Sequence, residues 1–214
     1  MTSTLYLIRH GESDMNTKGH LIGGRSNETP LTNRGIEQAT RLGKYLLSHD
    51  IIPTSVFASP AVRTQQTATV TLAAMEIATD PNIDDALQEM DQGDYVGRER
   101  SGVYTPAVLA EIEEHGKDFK LRGGESMNEV GGRMLEWIET SVPTATEPID
   151  SAIFVFGHGI AIKSLISLLE GWTQQHTVDA VLDNTSVTVL TDQSGVWKLQ
   201  SLGSTAHLDN TSNS

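Results

Sequence analysis

The sequence predicts a single α/β domain built on a mainly parallel sheet. Three observations carry that prediction. Short apolar runs alternate along the chain with longer segments of helical period. Two of the runs, Leu5-Tyr6-Leu7-Ile8 and Ala152-Ile153-Phe154-Val155-Phe156, are apolar on both faces, as strands inside a covered parallel sheet are. The 214 residues, 37% hydrophobic and 20% charged, suffice for one well-buried domain, where two would be small.

The elements follow in order. Leu5 to Ile8 is the first strand. Pro30-Leu31-Thr32 opens a helix with Thr32 as N-cap, and Ile36, Ala39, Leu42, Gly43, Leu46 and Leu47 trace one of its faces. Ser55 to Ala58 is the next strand. Ser59 can cap the helix after it, with Pro60 at the first position, where a missing N–H costs nothing. Asp80 to Thr105 is rich in Gly, Asp and Arg and weakly periodic, which predicts a long loop with short helical pieces; such loops are usually functional or disordered. Pro106 to His115 reads as a helix. Ser126-Met127-Asn128-Glu129 fits a capping box and starts a helix through Met134, Leu135 and Ile138 to about Thr140. Val142 to Asp150 is a Pro/Thr loop. After the strand at Ala152 to Phe156, the apolar run from Ile160 to Leu169 is a helix that Gly171 can stop. Ser186 to Thr191 and Val196 to Leu202 read as paired strands joined by a turn from Asp192 to Gly195. From Ser204 on the chain is polar and expected to be loose, so the domain is expected over residues 1–203 with a polar tail at 204–214.

Bulk properties narrow the function. A net charge of −13 argues against nucleic acid and anionic membrane as partners, and it makes any local cluster of arginines more telling. With no cysteine, disulfides and thiolate metal sites are excluded. The start of the chain carries no charged leader and no long apolar segment, so the expectation is a soluble cytoplasmic protein. His20, His49, His115, His176 and His207 show no metal-ligand spacing. The Ile160–Leu169 and Val178–Leu182 regions could include a homodimer interface.

Three motifs sit where predicted strands end: Arg9-His10-Gly11-Glu12, Ser59-Pro60-Ala61-Val62-Arg63-Thr64 and Phe156-Gly157-His158-Gly159. Ligands of open α/β sheets bind beyond the carboxyl ends of the strands, so all three would converge on one crevice. Arg63 falls in the first turn of its helix, where the dipole also favours an anion. Two guanidiniums can grip phosphoryl oxygens in bidentate fashion. A neutral imidazole can attack phosphorus and form a covalent intermediate, and neighbouring arginines would keep one histidine neutral while the other serves as a charged donor. The leaving alkoxide needs an acid, for which Glu12, Glu89, Asp91, Asp94, Glu99 and Glu125 are all open. His10, Glu12 and His158 could in principle ligate a metal, but two adjacent arginines oppose it. Glu125 is expected to stabilise a helix N-terminus and Lys163 to be a solvated helix residue.

Taken together, these blocks make the chain resemble the histidine phosphatase superfamily, in its phosphoglycerate mutase-like branch. Leu7-Ile8-Arg9-His10-Gly11-Glu12-Ser13 with Asn16 matches its signature. Pro30-Leu31-Thr32 with Gly35, Gln38 and Ala39 matches the next block, and Ser59-Pro60 with Arg63-Thr64 and Gln66-Thr67-Ala68 a third. Leu87, Glu89, Gly93, Tyr95 and Gly97, then Gly124-Glu125-Ser126 with Arg133, then His158-Gly159, complete the set in order. The resemblance implies a three-layer αβα fold with a mainly parallel sheet flanked by helices. It implies His10 as the phosphohistidine nucleophile, Arg9, Arg63 and His158 as phosphoryl ligands, and Glu89 as proton donor and then base. It places Asn16, Gly24 and Gly159 near the ligand, and it needs no metal or nucleotide cofactor.

The chain departs from the family pattern on the substrate side. The Ile22–Glu28 segment is one residue longer than usual and lacks an aromatic after its glycine, Arg122 replaces a common proline, Val96 a frequent glutamate and Ile160 a frequent small residue. Cofactor-dependent mutases also carry a lysine-rich segment after the acid and a tandem arginine, which hold the second anionic end of a bisphosphate. Here Met90 to Thr105 supplies only Arg98 and Arg100, and no Arg-Arg pair occurs. The expectation is a phosphomonoester phosphatase acting on a small phosphorylated metabolite, with Arg25, Arg98, Arg100 and Arg122 able to contact an acidic leaving group. A phosphoglycerate mutase, an isomerase, is the alternative, and a non-catalytic phosphate-ligand binding module a third reading.

Overall fold

The computed structural model describes residues 3–142, 151–192 and 194–209. The chain begins with β1 (Ser3–Arg9), then α1 (Asn33–Ser48), β2 (Ser55–Ala58), α2 (Val62–Ala74) and the two-residue β3 (Asn82–Ile83). The loop that follows contains single 3₁₀ turns at Asp85–Leu87 and Gly93–Tyr95. Then come α3 (Arg100–Val103), α4 (Pro106–His115), α5 (Met127–Ser141), β4 (Ser151–Gly157), α6 (Gly159–Leu169), α7 (Gln174–Asp179), β5 (Val187–Asp192) and β6 (Trp197–Ser204). The sheet order is β3-β2-β4-β1-β5-β6. The first four strands in that order run parallel, while β5 pairs antiparallel with both β1 and β6. The sheet is therefore mixed, with its parallel half beneath the three motifs.

Strand alternation sorts the core into two layers. Leu5 and Leu7 of β1 and Ile153 and Val155 of β4 pack on α5 and α6. Ile8, Phe154 and Phe156 face the other way, onto Leu42 and Leu46 of α1 and Ala68 and Leu72 of α2. Both faces of β1 and β4 are thus covered, which is why their sequences are apolar throughout. The result is the expected three-layer αβα arrangement. A third small cluster, Ile22, Val103 and Leu121 with partly buried Tyr104 and Phe119, ties the long loops into a cap. No helix among the described residues is long and apolar enough to cross a membrane.

Local signals explain most boundaries. Thr32 caps α1 by accepting from the Gly35 N–H, and Ser126 with Glu129 forms the full capping box of α5. Helices α1 and α2 touch so closely at Gly43 that a Cβ there would lie 2.3 Å from the Thr71 carbonyl oxygen.

Three expectations need correction. The buried face of α1 is Gly35, Gln38, Ala39, Leu42, Gly43 and Leu46, whereas Ile36 is 44% and Leu47 39% exposed. Ser59 does not cap α2: the helix starts at Val62, after Pro60 and Ala61, and its N-cap makes no side-chain bond. The end of the chain is not loose from Ser204: a 3₁₀ turn spans Ala206–Leu208, and His207 is buried with its Nε2 2.8 Å from Thr185 Oγ1. In the two regions suggested for an interface, most of α6 is spent within the chain's own core, while Leu168, Val178 and Val181 are exposed. The Pro/Thr loop beyond Val142, residue 193 of the last turn and residues 210–214 lie outside the described residues.

Candidate active site

Strand register brings the motifs level. Arg9 of β1 sits beside Gly157 of β4, and Ala58 of β2 beside Phe156. His10, Ser59 and His158 therefore leave three adjacent parallel strands at one height. Their backbones are pinned there: His10 N–H donates to the Gly157 carbonyl at 3.0 Å and Ser59 N–H to that of Phe156 at 3.0 Å. The Gly11 N–H donates to Thr67 Oγ1 of α2 at 3.0 Å. At Gly35 the loop after His10 touches the first turn of α1, where a Cβ would fall 2.1 Å from the Glu12 carbonyl oxygen.

Two residues absent from the sequence reading complete this support. Asn184 Nδ2 donates to the His10 carbonyl at 3.0 Å and to Asn16 Oδ1 at 3.2 Å. The Thr185 N–H reaches the carbonyls of Arg9 at 3.0 Å and His10 at 3.2 Å. Thr185 adopts a φ of 60°, a strained choice for a β-branched residue, and it is the residue that His207 buttresses.

A cavity of about 340 Å³ opens above these strand ends. Seven of the eight predicted site residues line it: Arg9, His10, Asn16, Gly24, Arg63, Glu89 and Gly159. The eighth, His158, is fully buried behind Arg63. The hydrogen bonds determine where the imidazole protons sit. His10 Nδ1 is 2.7 Å from the Gly11 carbonyl, which can only accept, so Nδ1 carries the proton. His10 Nε2 then accepts from Arg63 Nε at 3.2 Å, so its single lone pair is engaged by that guanidinium where the residue borders the cavity. His158 Nδ1 faces Arg63 Nη2 at 3.2 Å, and a guanidinium only donates, so the His158 proton lies on Nε2 and is given to Ser59 Oγ at 2.8 Å.

Electrostatics agree with these tautomers. Burial, then Arg63 and Arg9, hold His10 well below the ordinary imidazole range, partly opposed by the bond to Gly11. Burial, Arg63 and His10 do the same for His158. The sequence reading left one histidine to act as a charged donor; both are instead pushed towards the neutral form, because both are enclosed beside arginine. Arg9 and Arg63 are themselves lowered, first by burial. Arg9 Nε is buried without a hydrogen-bond partner. Such a donor is costly in a fold unless a ligand uses it. The arrangement can therefore take an anion between two guanidiniums, with an uncharged imidazole nitrogen against it.

Glu89 is the one open acid candidate that lines this cavity. Its carboxyl group crosses to the start of α6, accepting from Ala161 N at 2.9 Å and Ile160 N at 3.2 Å, and from its own neighbour Met90 N at 2.8 Å. The loop beneath it is clamped by Arg133, which donates to the carbonyls of Ala86, Gln88 and Glu89 and to the Glu125 carboxylate. Four of the other five candidates are occupied, and Glu99 does not line the cavity. Glu12 bonds Thr32 and Arg34, Asp94 pairs with Arg122, and Asp91 and Glu125 pair with Arg25. Glu125 thus anchors Arg133 and Arg25 rather than only serving a helix dipole, and these contacts hold its pKa down against burial. Of the four arginines expected near a leaving group, only Arg100 lines the cavity. Lys163, expected to be solvated, also lines it: it is half-buried, donates to the Val178 carbonyl at 3.2 Å, and is lowered chiefly by burial. No cluster of three or more metal-ligating side chains occurs among the described residues.

Comparisons with known proteins bear on this site. The family pattern of the histidine phosphatase superfamily (branch 1) matches residues 5–205. A 2,3-bisphosphoglycerate-dependent phosphoglycerate mutase of Rhizobium meliloti (strain 1021) is 32% identical over 181 residues, covering 82% of this chain and 83% of its own. The solved structure of Bacillus stearothermophilus YhfR superposes with a TM-score of 0.81 at 25% identity, covering 97% of this chain and all (100%) of its own. A mycobacterial glucosyl-3-phosphoglycerate phosphatase shares the fold with a TM-score of 0.77 at 24% identity, over 95% of this chain and 100% of its own.

Proposed function

From the premise that the chain belongs to the histidine phosphatase superfamily, we propose that this enzyme is a phosphomonoester phosphatase acting through phosphorylated His10. The observation that carries the reading is the His10 ring, with Nδ1 tied to Gly11 and an uncharged Nε2 beside Arg63 at the cavity. In this reading Arg63 turns its Nε–H from His10 Nε2 to the phosphoryl oxygens, which it neutralises with Arg9, and the freed Nε2 lone pair attacks phosphorus. The bond from phosphorus to the ester oxygen breaks, and Glu89 delivers a proton to the departing alkoxide. Glu89 then takes a proton from the water that attacks the phosphohistidine, releasing inorganic phosphate and restoring neutral His10. Asn16, Gly24 and Gly159 shape the wall, and His158 holds Arg63 from behind. No metal or nucleotide takes part, and the substrate is a small phosphorylated metabolite of the cytoplasm.

Hydrolysis is preferred to isomerisation because a mutase must hold a second anionic end of its phospho-donor. Arg25 and Arg122 are committed to carboxylates and Arg98 lies over the Tyr95 ring outside the cavity lining, which leaves Arg100 and Lys163 for that task. The mutase reading keeps one specific support, the identity to a named mutase over most of the chain. Phosphate release from a panel of monoesters, with and without a bisphosphate primer, decides between them. Acid-labile phosphate on His10 during turnover, lost in His10→Ala, is expected. Full activity in that variant refutes the mechanism, activity that requires the primer favours the mutase, and binding without release from any ester favours a non-catalytic module.

A further inference from the structure

A second cavity of about 740 Å³ continues from the first, and the two share Gly23, Gly24, Arg100, Ile160 and Lys163. Its walls come from the cap: Tyr104, Leu109, Ile112, Phe119, Met127 and, from α7, Val178. The lining is mainly carbon. Its volume falls in the range of roughly 300–1,000 Å³ that holds drug-sized ligands, several times a triose. Helix α4 buries none of its residues, and Leu109 and Val178 are each 52% exposed. These apolar groups stay uncovered along the cavity rather than being spent in the core.

The junction lies where a leaving group would pass. Ile160 N–H holds Glu89 Oε2 at 3.2 Å, and Ile160 also lines both cavities. An alcohol oxygen protonated by Glu89 therefore has its carbon side towards Ile160 and the apolar walls beyond. Arg100 and Lys163 stand at this junction, at the phosphoryl end. Lys120, deeper along the wall, is engaged by Glu129 at 2.6 Å. Positive charge is thus concentrated where the phosphate sits, and the far part offers carbon. That distribution suits a molecule whose far end is carbon; a phosphoglycerate would end at the junction, its carboxylate beside Arg100 and Lys163, and leave the apolar walls empty.

We propose that the ester hydrolysed carries an apolar body, aromatic or alkyl and larger than a triose, that seats in this second cavity. The inference rests on the phosphatase reading and specifies its substrate class. Affinity for the seat follows the area of carbon removed from water, so selectivity grows with chain length until the cavity is full.

The test measures kcat/KM for ethyl, butyl, hexyl and octyl phosphate, 1-naphthyl phosphate, glycerol phosphate and 3-phosphoglycerate. Each added methylene is expected to raise kcat/KM by up to about fourfold. The naphthyl ester departs more easily whatever the seat, so the seat is read from octyl against glycerol phosphate, both alkoxides, which should differ by ~100-fold. Ile112→Glu places a charge on the wall and should reduce the octyl-to-ethyl ratio ~10-fold or more. Phe119→Ala, which only shortens the wall, should reduce it less, so the pair separates a seat from general misfolding. Phosphate release with no rise along the alkyl series overturns the inference and leaves the phosphatase reading standing. No release from any ester overturns that reading instead. A dimer in sedimentation that Leu109→Asp dissociates, with the alkyl ratio unchanged, also overturns it, because the apolar face then belongs to a second copy of the chain.

Discussion

Replacing Glu89 with glutamine removes the proton while keeping the shape, and the structure sets how much of the effect should be chemical. The carboxyl oxygen Oε1 accepts two backbone N–H groups, from Met90 and Ala161, and Oε2 accepts one, from Ile160. A glutamine can place its carbonyl oxygen at the doubly bonded position. Its NH2 then faces the Ile160 N–H, donor against donor, which leaves that N–H unsatisfied at a cost of about 1–3 kcal/mol. Arg133 clamps the loop through the backbone carbonyls of Ala86, Gln88 and Glu89, which the substitution leaves in place. The fold should therefore weaken by about 1–3 kcal/mol. Loss of the acid should raise the barrier by roughly 3–5 kcal/mol, the equivalent of 10²–10⁴ in rate.

The leaving group turns this into a sharp test. An alkoxide needs the proton to depart, whereas p-nitrophenolate is stable as the anion. With an alkyl phosphate, Glu89→Gln should slow formation of phosphorylated His10 by about 10²–10⁴-fold, and no burst of alcohol should appear. With p-nitrophenyl phosphate the first step should survive. Stopped-flow absorbance should then show a burst of one nitrophenolate per site. A slow steady state follows, because the variant lacks the base that activates water. Equal losses on both esters with no burst on either would refute the assignment of Glu89 to proton transfer. Retained turnover of both would move the role to another acid.

Three further outcomes follow from the same geometry. In Ser59→Ala, His158 Nε2 loses its partner inside a fully buried pocket, which costs about 1–3 kcal/mol. Steady-state assays should show kcat/KM lowered ~10-fold with a displaced pH profile, Ser59→Thr should restore part of it, and an unshifted profile would mean that the hydroxyl only fills space. In Gly43→Ala the new methyl meets the Thr71 carbonyl at 2.3 Å, and the strain of about 1–3 kcal/mol should lower Tm by roughly 3–10 °C in a circular-dichroism melt with kcat/KM retained at low temperature. An unchanged Tm would show that α1 and α2 separate freely. His207 is lowered to about 4 by burial and Arg41 from the ordinary 6.5. The unfolded chain therefore takes up this proton first. The stabilisation is complete above about pH 6.5 and is lost as pH falls towards about 4, on the order of 2 kcal/mol after solvent screening. Urea midpoints of His207→Asn should fall less steeply over that window than those of the natural chain, and parallel slopes would remove His207 from the acid response.

What the sequence made legible, and what it hid, divides along physical lines. Strands covered on both faces have apolar sequences, so β1 and β4 are plain, and the polar residues that stop them are the site. Local capping chemistry located the starts of α1 and α5. Long-range contacts were hidden. Ser59 has the right spacing for an N-cap, but His158 of a different strand claims its hydroxyl. Lys163 looks solvated on α6 until α7 folds back and presents the Val178 carbonyl. Asn184 and Thr185 belong to no periodic segment, yet they hold the backbone of His10. The carboxylate problem had the same origin: six acids were open by spacing, and ion pairs to distant arginines occupy four of them, Glu12, Asp91, Asp94 and Glu125.

The order of the strands explains why the histidines meet where they do. The segment after β1 leads to α1, on the face shared with α2, while the segment after β4 leads directly into α6 on the opposite face. β1 and β4 are hydrogen-bonded neighbours, so two consecutive connections leave in opposite directions and open a crevice between them. His10 and His158 are the first residues beyond those two strands, and their rings stand 5.4 Å apart. Arg63, two residues into α2, fills the gap from the side of β2 and bonds both. The phosphoryl end is thus set by the sheet itself and tolerates little change. In the proposed reaction the alcohol departs on the side built from the cap and α7, where the cap rests on one small cluster rather than on the sheet. Substitutions there should alter which ester is cleaved while leaving the chemistry of His10 in place.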